Sequence, residues 1–148
     1  MKTREQDRME KTWRALSNRL GNEPERWKDK NEAKKYLNGV RKTPARIHAS
    51  GLGQAIAFLK SHKADDVATD ISKITLEMLG TTDGTDLLGK IRSGDTAYLF
   101  LATDEAMAVC GWLSRYLVGA GVKPEENDTP IVTNPAVTAP PSVPAGGS

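Results

Sequence analysis

Five cationic side chains lie close together near the middle of the sequence, namely Lys34, Lys35, Arg41, Lys42 and Arg46. Long cationic side chains that come without an aromatic platform suit contacts with backbone phosphates, which contribute affinity but no choice of sequence. Helical spacing predicts that Lys34, Arg41 and Lys42 lie near one face. The five residues are therefore the candidate contacts for a nucleic-acid backbone.

Charge is segregated along the chain. Residues 26–63 contain ten Lys or Arg and two acidic residues, whereas residues 64–148 contain five basic and twelve acidic residues. The net charge of the whole chain is only +2. A basic block beside an acidic block indicates a polyanionic partner, although a solvated lysine-rich helix surface would produce the same pattern.

Two glycines in the stretch S-G-L-G-Q, residues 50–54, raise the possibility of a phosphate-binding loop. A dinucleotide fingerprint needs a third glycine and a preceding strand, and a P-loop needs a different spacing followed by Gly-Lys-Ser/Thr. The stretch instead suits the start of a packed helix. Ser50 is predicted to be its N-cap, and Gly51 and Gly53 are predicted to let a neighbouring backbone approach closely.

Arg41 and His48 form the only pair that suggests catalysis of RNA cleavage. Six residues separate them, and in helical ribonucleases such a histidine acts as general acid and base while the arginine stabilises phosphate charge. Lys42 replaces the small polar residue expected after the arginine, and Pro44 interrupts the helix that would position the pair. A helical ribonuclease thus remains an alternative.

The acidic residues do not form a recognisable metal site. Asp66 and Asp70 share a helix face, and Asp83 and Asp86 fall in a turn-rich loop, where helix caps and solubilising charge explain them. The two histidines and the single Cys110 lack the spacing of a zinc site. We predict no catalytic residue, no metal and no cofactor.

Aromatic residues could stack bases, but their spacing favours the core. Trp13, Trp112 and Tyr116 lie on the apolar stripes of two predicted helices, which indicates burial.

The periodicity of apolar residues predicts an all-α fold, a compact bundle of about five to six helices. The first helix spans residues 3–20 and ends at Gly21-Asn22, and the second spans 32–42 and ends or kinks at Pro44. An apolar helix follows the glycines, and Asp65 or Asp66 caps the next one, which ends at Gly80. A short helix precedes Ser93-Gly94. Asp95 then opens the longest pattern, which Thr103-Asp104 could divide into two helices and which contains the strand-like run T-A-Y-L-F-L-A.

The chain is predicted to form one domain, residues 1–122, followed by a tail at 123–148. The tail contains six prolines and almost no large apolar side chains, which predicts disorder. The N-terminal residues alternate in charge without an apolar run, so we expect neither a signal peptide nor a membrane span. One cysteine fits a cytoplasmic location.

The run K-T-P-A-R-I-H-A-S-G-L-G-Q-A-I-A-F-L, residues 42–59, resembles the signature of one family. That family is the small helical subunit of type III-B CRISPR effector complexes, the Cmr (RAMP module) complexes. The run Y-L-F-L-A-T-D-E-A-M-A-V-C-G-W-L-S-R-Y, residues 98–116, is similar to the family's C-terminal helix. Ser50 replaces a frequent asparagine and Thr43 a frequent leucine, and the Pro-rich tail is outside the shared pattern.

The resemblance implies a non-catalytic subunit in antiviral defence. Copies would stack head to tail as a filament beside the other Cmr complex subunits, and their basic surface would face the guide RNA–target RNA duplex. Under this hypothesis Lys34, Lys35, Arg41, Lys42 and Arg46 bind the RNA backbone. Besides the ribonuclease, a small helical DNA-binding regulator remains an alternative.

Overall fold

Six α-helices form the described part of the computed structural model, which comprises residues 1–20, 30–81 and 83–124. The helices are α1 (Arg4–Leu20), α2 (Lys30–Ser50), α3 (Leu52–Ser61), α4 (Asp65–Met78), α5 (Leu87–Ser93) and α6 (Thr96–Gly119). No strand occurs among these residues, so the predicted all-α fold is confirmed and the strand-like run T-A-Y-L-F-L-A belongs to α6. The cap predicted at Gly21-Asn22 and residues 125–148 of the predicted tail lie outside the described residues.

The longest helix, α6, packs against α1, α2 and α4. Its buried residues Val109, Leu113 and Leu117 meet side chains from the apolar stripes of the neighbouring helices. Burying a leucine or isoleucine side chain contributes about 1.5–3 kcal/mol, so these stripes provide most of the stability of the bundle. None of the described helices combines the length and the apolar character needed to cross a bilayer.

Pro44 does not end α2, which continues to Ser50. Ile47, beyond the proline, is 5% exposed and joins the same core as Tyr36 and Val40. The burial of apolar residues on both sides of Pro44 therefore outweighs the lost backbone donor. Of the two alternatives predicted at Pro44, an end or a kink of the helix, the end is wrong for this reason.

The junction of α2 and α3 differs from its prediction. Ser50 is the last residue of α2, and the N-cap of α3 is Gly51, with no side-chain cap. Gly51 has φ 90° and ψ 163°, a conformation that is essentially restricted to glycine. No atom lies within 4 Å of a Cβ placed on Gly51, so backbone geometry and not close approach requires this glycine.

The remaining helix starts follow the predictions in part. Asp86 and Asp95 cap α5 and α6, each accepting a hydrogen bond from a backbone N–H three residues on. The N-cap of α4 is Ala64, and Asp65 and Asp66 lie in its first turn, so neither caps it. α6 is one continuous helix through Thr103 and Asp104.

Glu105 connects α6 to α1 and is 2% exposed. Its carboxylate accepts hydrogen bonds from the guanidinium groups of Arg4 and Arg8. Burial alone would raise the pKa of Glu105, but the hydrogen bonds from Arg8 and Arg4 lower it below its ordinary value. The carboxylate is therefore ionised and holds the first two turns of α1 on α6.

Asp70 makes a second connection, at the other end of α1. It accepts hydrogen bonds from Arg19 of α1 and from the hydroxyl of Tyr36, 2.6 Å away on α2. Burial raises the pKa of Tyr36 well above its ordinary value, and the neighbouring carboxylate adds to the effect. The hydroxyl therefore stays protonated and donates to Asp70, which joins three helices beside the basic surface.

Candidate nucleic-acid interface

All five candidate cations lie on α2, in two rows that helical geometry defines. Lys35, Lys42 and Arg46, which we call the groove row, follow one another at i, i+7 and i+11 on one face. Lys34 and Arg41, the outer row, lie about a third of a turn away. Lys42 therefore belongs with Lys35 and not, as expected from the sequence, beside Lys34 and Arg41. The side chains of Arg26, Lys28 and Lys30 lie outside the described residues.

The groove row lines a groove of about 910 Å³ between α2 and α3, hereafter the basic groove. Its wall carries five cationic and two acidic side chains. The cations are Arg19, Lys35, Lys42, Arg46 and Lys63, and the acids are Glu32 and Asp66. Its dimensions and charge suit a chain of phosphates more than a small uncharged ligand.

The cations of α2 are not neutralised by neighbouring acids. By contrast, every Lys or Arg of α1 forms an ion pair, and so does Lys2 just before the helix. These residues of α1 are Arg4, Arg8, Lys11, Arg14 and Arg19. None of the five candidate cations on α2 forms one with any residue that the structure describes. Their charge is therefore available to an external anion.

Arg46 is the first member of a stacked column that the sequence interpretation missed. Its guanidinium carbon lies 3.6 Å from the centre of the Phe58 ring. The Phe58 and His62 rings are 3.7 Å apart between centroids and inclined by 14°, which is a parallel stack. Burial lowers the pKa of Arg46 below its ordinary value.

The expectation that the cations come without an aromatic platform is therefore wrong. Phe58 on α3 and His62, the C-cap of that helix, were recognisable as an i, i+4 aromatic pair. The pair lies about a third of a turn from the stripe of Leu52, Ile56 and Leu59. The contact of this pair with Arg46 crosses from α3 to α2, so it depends on tertiary packing.

Lys63 follows α3 and has φ 61°, the left-handed conformation that favours glycine. The backbone N–H of Ala64 reaches back to the carbonyl of Leu59 at 2.9 Å and closes the helix. A lysine in this position costs about 1–2 kcal/mol of backbone strain. The strained residue places a cation on the wall of the basic groove.

Arg41 and His48, the ribonuclease candidates, lie on one unbroken helix. They are seven positions apart, which places them on the same face about 10 Å apart along the axis. His48 is exposed, and its imidazole makes no hydrogen bond in the part of the chain that the structure describes. A general base requires a group that orients it, and the described residues provide none for His48.

The acidic residues are accounted for by structural contacts. Asp70 holds Arg19 and Tyr36, and Asp83 accepts a hydrogen bond from Lys90 at 2.6 Å, a contact that lowers the pKa of Asp83 to about 2. No group of three or more potential metal ligands occurs within residues 1–20, 30–81 and 83–124.

Trp13, Trp112 and Tyr116 form a partly exposed cluster. Tyr116 packs against the core as predicted, whereas the predicted place of Trp13 and Trp112 in the core is wrong. The ring centroids of Trp13 and Tyr116 are 5.3 Å apart, and those of Trp112 and Tyr116 are 5.4 Å apart. Trp13 is 53% exposed. The cluster lies on α1 and α6, whereas α2 and α3 carry the groove row and the stacked column.

Comparison with known proteins identifies similar chains. The family model described as CRISPR-associated protein (Cas_Cmr5) matches residues 4–120. The fold is similar to that of a CRISPR-associated Cmr5 family protein from Thermus thermophilus, with a TM-score of 0.61 and 22% identity over 80% of this chain and 98% of that one. No curated protein matches the sequence.

Proposed function

The chain belongs to the Cas_Cmr5 family of CRISPR-associated proteins, and from that premise we propose that it is the non-catalytic small subunit of a type III-B RNA-guided effector complex. Its basic groove binds the backbone of target RNA that is paired with the guide. Sequence choice comes from base pairing with the guide, and the subunit supplies affinity for phosphate.

The observation that carries this proposal is that the five candidate cations on α2 lack ion pairs among the described residues. Lys35, Lys42 and Arg46 project from one face into the basic groove, where they outnumber the acids. Each phosphate that a cation neutralises releases condensed counterions, so the affinity for RNA comes largely from this surface. The outer row, Lys34 and Arg41, provides secondary contacts beside the groove.

Further copies of the chain and the other Cmr complex subunits are the proposed protein partners. Residues 64–148 carry an excess of acidic residues, whereas the basic groove lies mainly on α2 and α3. Such a separation of charge favours contact between the acidic part of one copy and a basic patch of the next, which supports head-to-tail stacking.

The first experiment is a native purification of the tagged full-length chain from its own host, with identification of co-eluting proteins and sequencing of bound RNA. We expect several larger proteins and short RNAs that share a repeat-derived end. Elution of the chain alone and without RNA would contradict the proposed assembly. Cleavage of RNA that His48→Ala abolishes would favour the ribonuclease, and preference for one duplex DNA sequence would favour the DNA-binding regulator.

Two double variants test the groove. Lys35→Glu/Lys42→Glu and Lys34→Glu/Arg41→Glu change the net charge of α2 equally, and both replace cations on the same helix. We expect the groove-row variant to weaken RNA binding more strongly at every sequence and to reduce the slope of log affinity against log salt by about 0.7–0.9 per lost contact. The outer-row variant has the smaller effect.

The measurement is RNA affinity by fluorescence anisotropy over a salt series, with circular dichroism confirming the fold of each variant. Equal losses in the two variants would show that RNA responds to the net charge of the surface and would contradict the groove. An unchanged salt slope in both variants would contradict the contact residues altogether.

A further inference from the structure

We infer that the stacked column of Arg46, Phe58 and His62 binds an unpaired nucleobase of the RNA, in addition to the phosphate contacts of the basic groove. The inference rests on the proposed function, because it concerns the same groove and the same ligand. It adds a contact to the nucleoside part of the ligand, which phosphate binding does not require.

The Phe58 side chain packs in the stacked column and not in the hydrophobic core. The residues beside it on α3, Leu52, Ile56 and Leu59, are no more than 1% exposed and belong to the hydrophobic core. Phe58 is only partly buried and is absent from the partly buried hydrophobic residues that pack against that core. Its close ring contacts are with the side chains of Arg46 and His62.

The geometry of the column leaves a stacking surface open. The Arg46 guanidinium and the His62 ring each lie within 3.7 Å of the centre of the Phe58 ring, so they must occupy its opposite faces. The His62 side chain is exposed at the end of the column. Its outer face is a flat aromatic surface at the wall of a cationic groove, and bases stack on histidine and on arginine planes in RNA-binding proteins.

The imidazole is already oriented for this contact. Its Nδ1 lies 3.0 Å from the carbonyl oxygen of Phe58 and 2.9 Å from the hydroxyl of Ser61. A ring held in one orientation loses little conformational entropy when a base stacks on it.

The chemistry selects an unpaired nucleotide. A base within a duplex is stacked on both faces, so only a single-stranded or displaced base presents a face to the column. The cations Lys35, Lys42 and Lys63 of the same groove would bind the phosphates on either side of it.

The test compares two RNA ligands and three variants of the full-length chain. The ligands are a short single-stranded oligouridylate and the same ribose-phosphate chain without bases. The variants are His62→Ala, Phe58→Leu and the control His48→Ala, which removes an exposed histidine that does not line the groove. Affinities are measured at one salt concentration.

We expect wild type to bind the oligouridylate about fivefold to a hundredfold more tightly than the abasic chain. His62→Ala and Phe58→Leu lose this difference and retain affinity for the abasic chain, whereas His48→Ala retains both. His62 is exposed, so His62→Ala gives the decisive result even if Phe58→Leu impairs folding.

Equal affinity of wild type for the two ligands would overturn the stacking site while leaving the phosphate contacts intact. An equal loss for both ligands in His62→Ala would also overturn it, because His62 would then contact phosphate. Failure of wild type to bind either ligand would contradict RNA binding by the groove itself, and the inference would fall with it.

Discussion

Glu105 is the buried charge on which the attachment of α1 depends. Two guanidinium groups from α1 converge on its carboxylate, and Glu105 itself is 2% exposed. Ion pairs at the exposed surface of α1, such as that of Glu10 with Arg14, contribute far less because water competes for both charges. A buried carboxylate that loses its charge leaves two cations without a partner.

We predict that Glu105→Gln lowers the free energy of unfolding by about 2–3 kcal/mol at neutral pH, because an amide cannot neutralise Arg4 and Arg8. The folded-state pKa of Glu105 is depressed, so its contribution is complete above pH 4.5, its ordinary value, and is lost as pH falls through the folded-state pKa. The difference between wild type and variant therefore shrinks in acid. Urea unfolding at a series of pH values measures it.

Glu10→Gln is the matched control, since it also removes one carboxylate that faces cations of the N-terminal region. We expect little change in stability, because the Glu10 side chain is 42% exposed. A Glu105→Gln variant as stable as Glu10→Gln would show that the buried pair contributes nothing to the attachment of α1.

At the scale of elements, the junction of α2 and α3 depends on a single backbone conformation. Gly51→Ala is predicted to lower the free energy of unfolding by about 1–3 kcal/mol, because φ 90° with ψ 163° is strained for any residue with a Cβ atom. Gly53→Ala is the control inside α3, where the new methyl group meets only the side chain of Ile91, at 3.9 Å.

We expect Gly53→Ala to be neutral or to stabilise the chain by up to about 1 kcal/mol, because alanine favours the helix. Thermal unfolding of both variants checks the pair. Equal effects of the two substitutions would show that the conformation of Gly51 is not required.

The end of α3 contains the opposite arrangement, a lysine in a conformation that suits glycine. Lys63→Gly is predicted to stabilise the fold by about 1 kcal/mol by relieving the strain at φ 61°, and at the same time to weaken RNA binding by removing a cation of the basic groove. Differential scanning calorimetry and RNA anisotropy measure the two effects.

Lys60→Gly removes a cation from the last turn of α3, outside the wall of the basic groove. It should destabilise the chain by about 1 kcal/mol with RNA affinity retained. A Lys63→Gly variant that is less stable than wild type would contradict strain at this residue.

The helices themselves could be predicted because their apolar stripes repeat every three to four residues, as in the stripe that brings Leu16 into the core. The connections could not be predicted in the same way. Ser50 has the chemistry of an N-cap, but burial of Ile47 extends α2 as far as Ser50 and leaves Gly51 as the residue that turns the chain. Local propensity at Pro44 and Ser50 is outweighed by packing that involves residues distant in sequence.

At the scale of the whole molecule, the cations that form ion pairs and those that do not lie on different helices. The cations of α1 form ion pairs, whereas the five candidate cations on α2 have no acidic partner among the described residues, and composition alone cannot distinguish the two groups. The five cations of α2 were therefore found from the sequence, but their division into two rows and the contact of Arg46 with Phe58 were not. These features depend on how α3 packs against α2.

We predict that salt affects RNA binding and folding very differently. If the three cations of the groove row each bind one phosphate of single-stranded RNA, affinity falls about 20-fold between 50 and 200 mM salt, and about a hundredfold if all five cations of α2 do so. The melting temperature should change little, because the exposed ion pairs of α1 contribute little to stability. Anisotropy and calorimetry in the same buffers measure both quantities.

A parallel loss of affinity and melting temperature would show that salt acts on the fold, and the binding surface would then need another explanation. Affinity independent of salt would contradict a phosphate-binding groove.

Cys110, the only cysteine in the chain, lies in the core on α6, where burial raises the pKa of its thiol to about 12. A protonated and inaccessible thiol does not react with maleimides at neutral pH. The native chain therefore behaves as a cysteine-free background for chemical labelling. Replacing the exposed Asn18, at the rim of the basic groove, by cysteine would create one reactive site, and a fluorophore attached there would report directly when the groove is occupied.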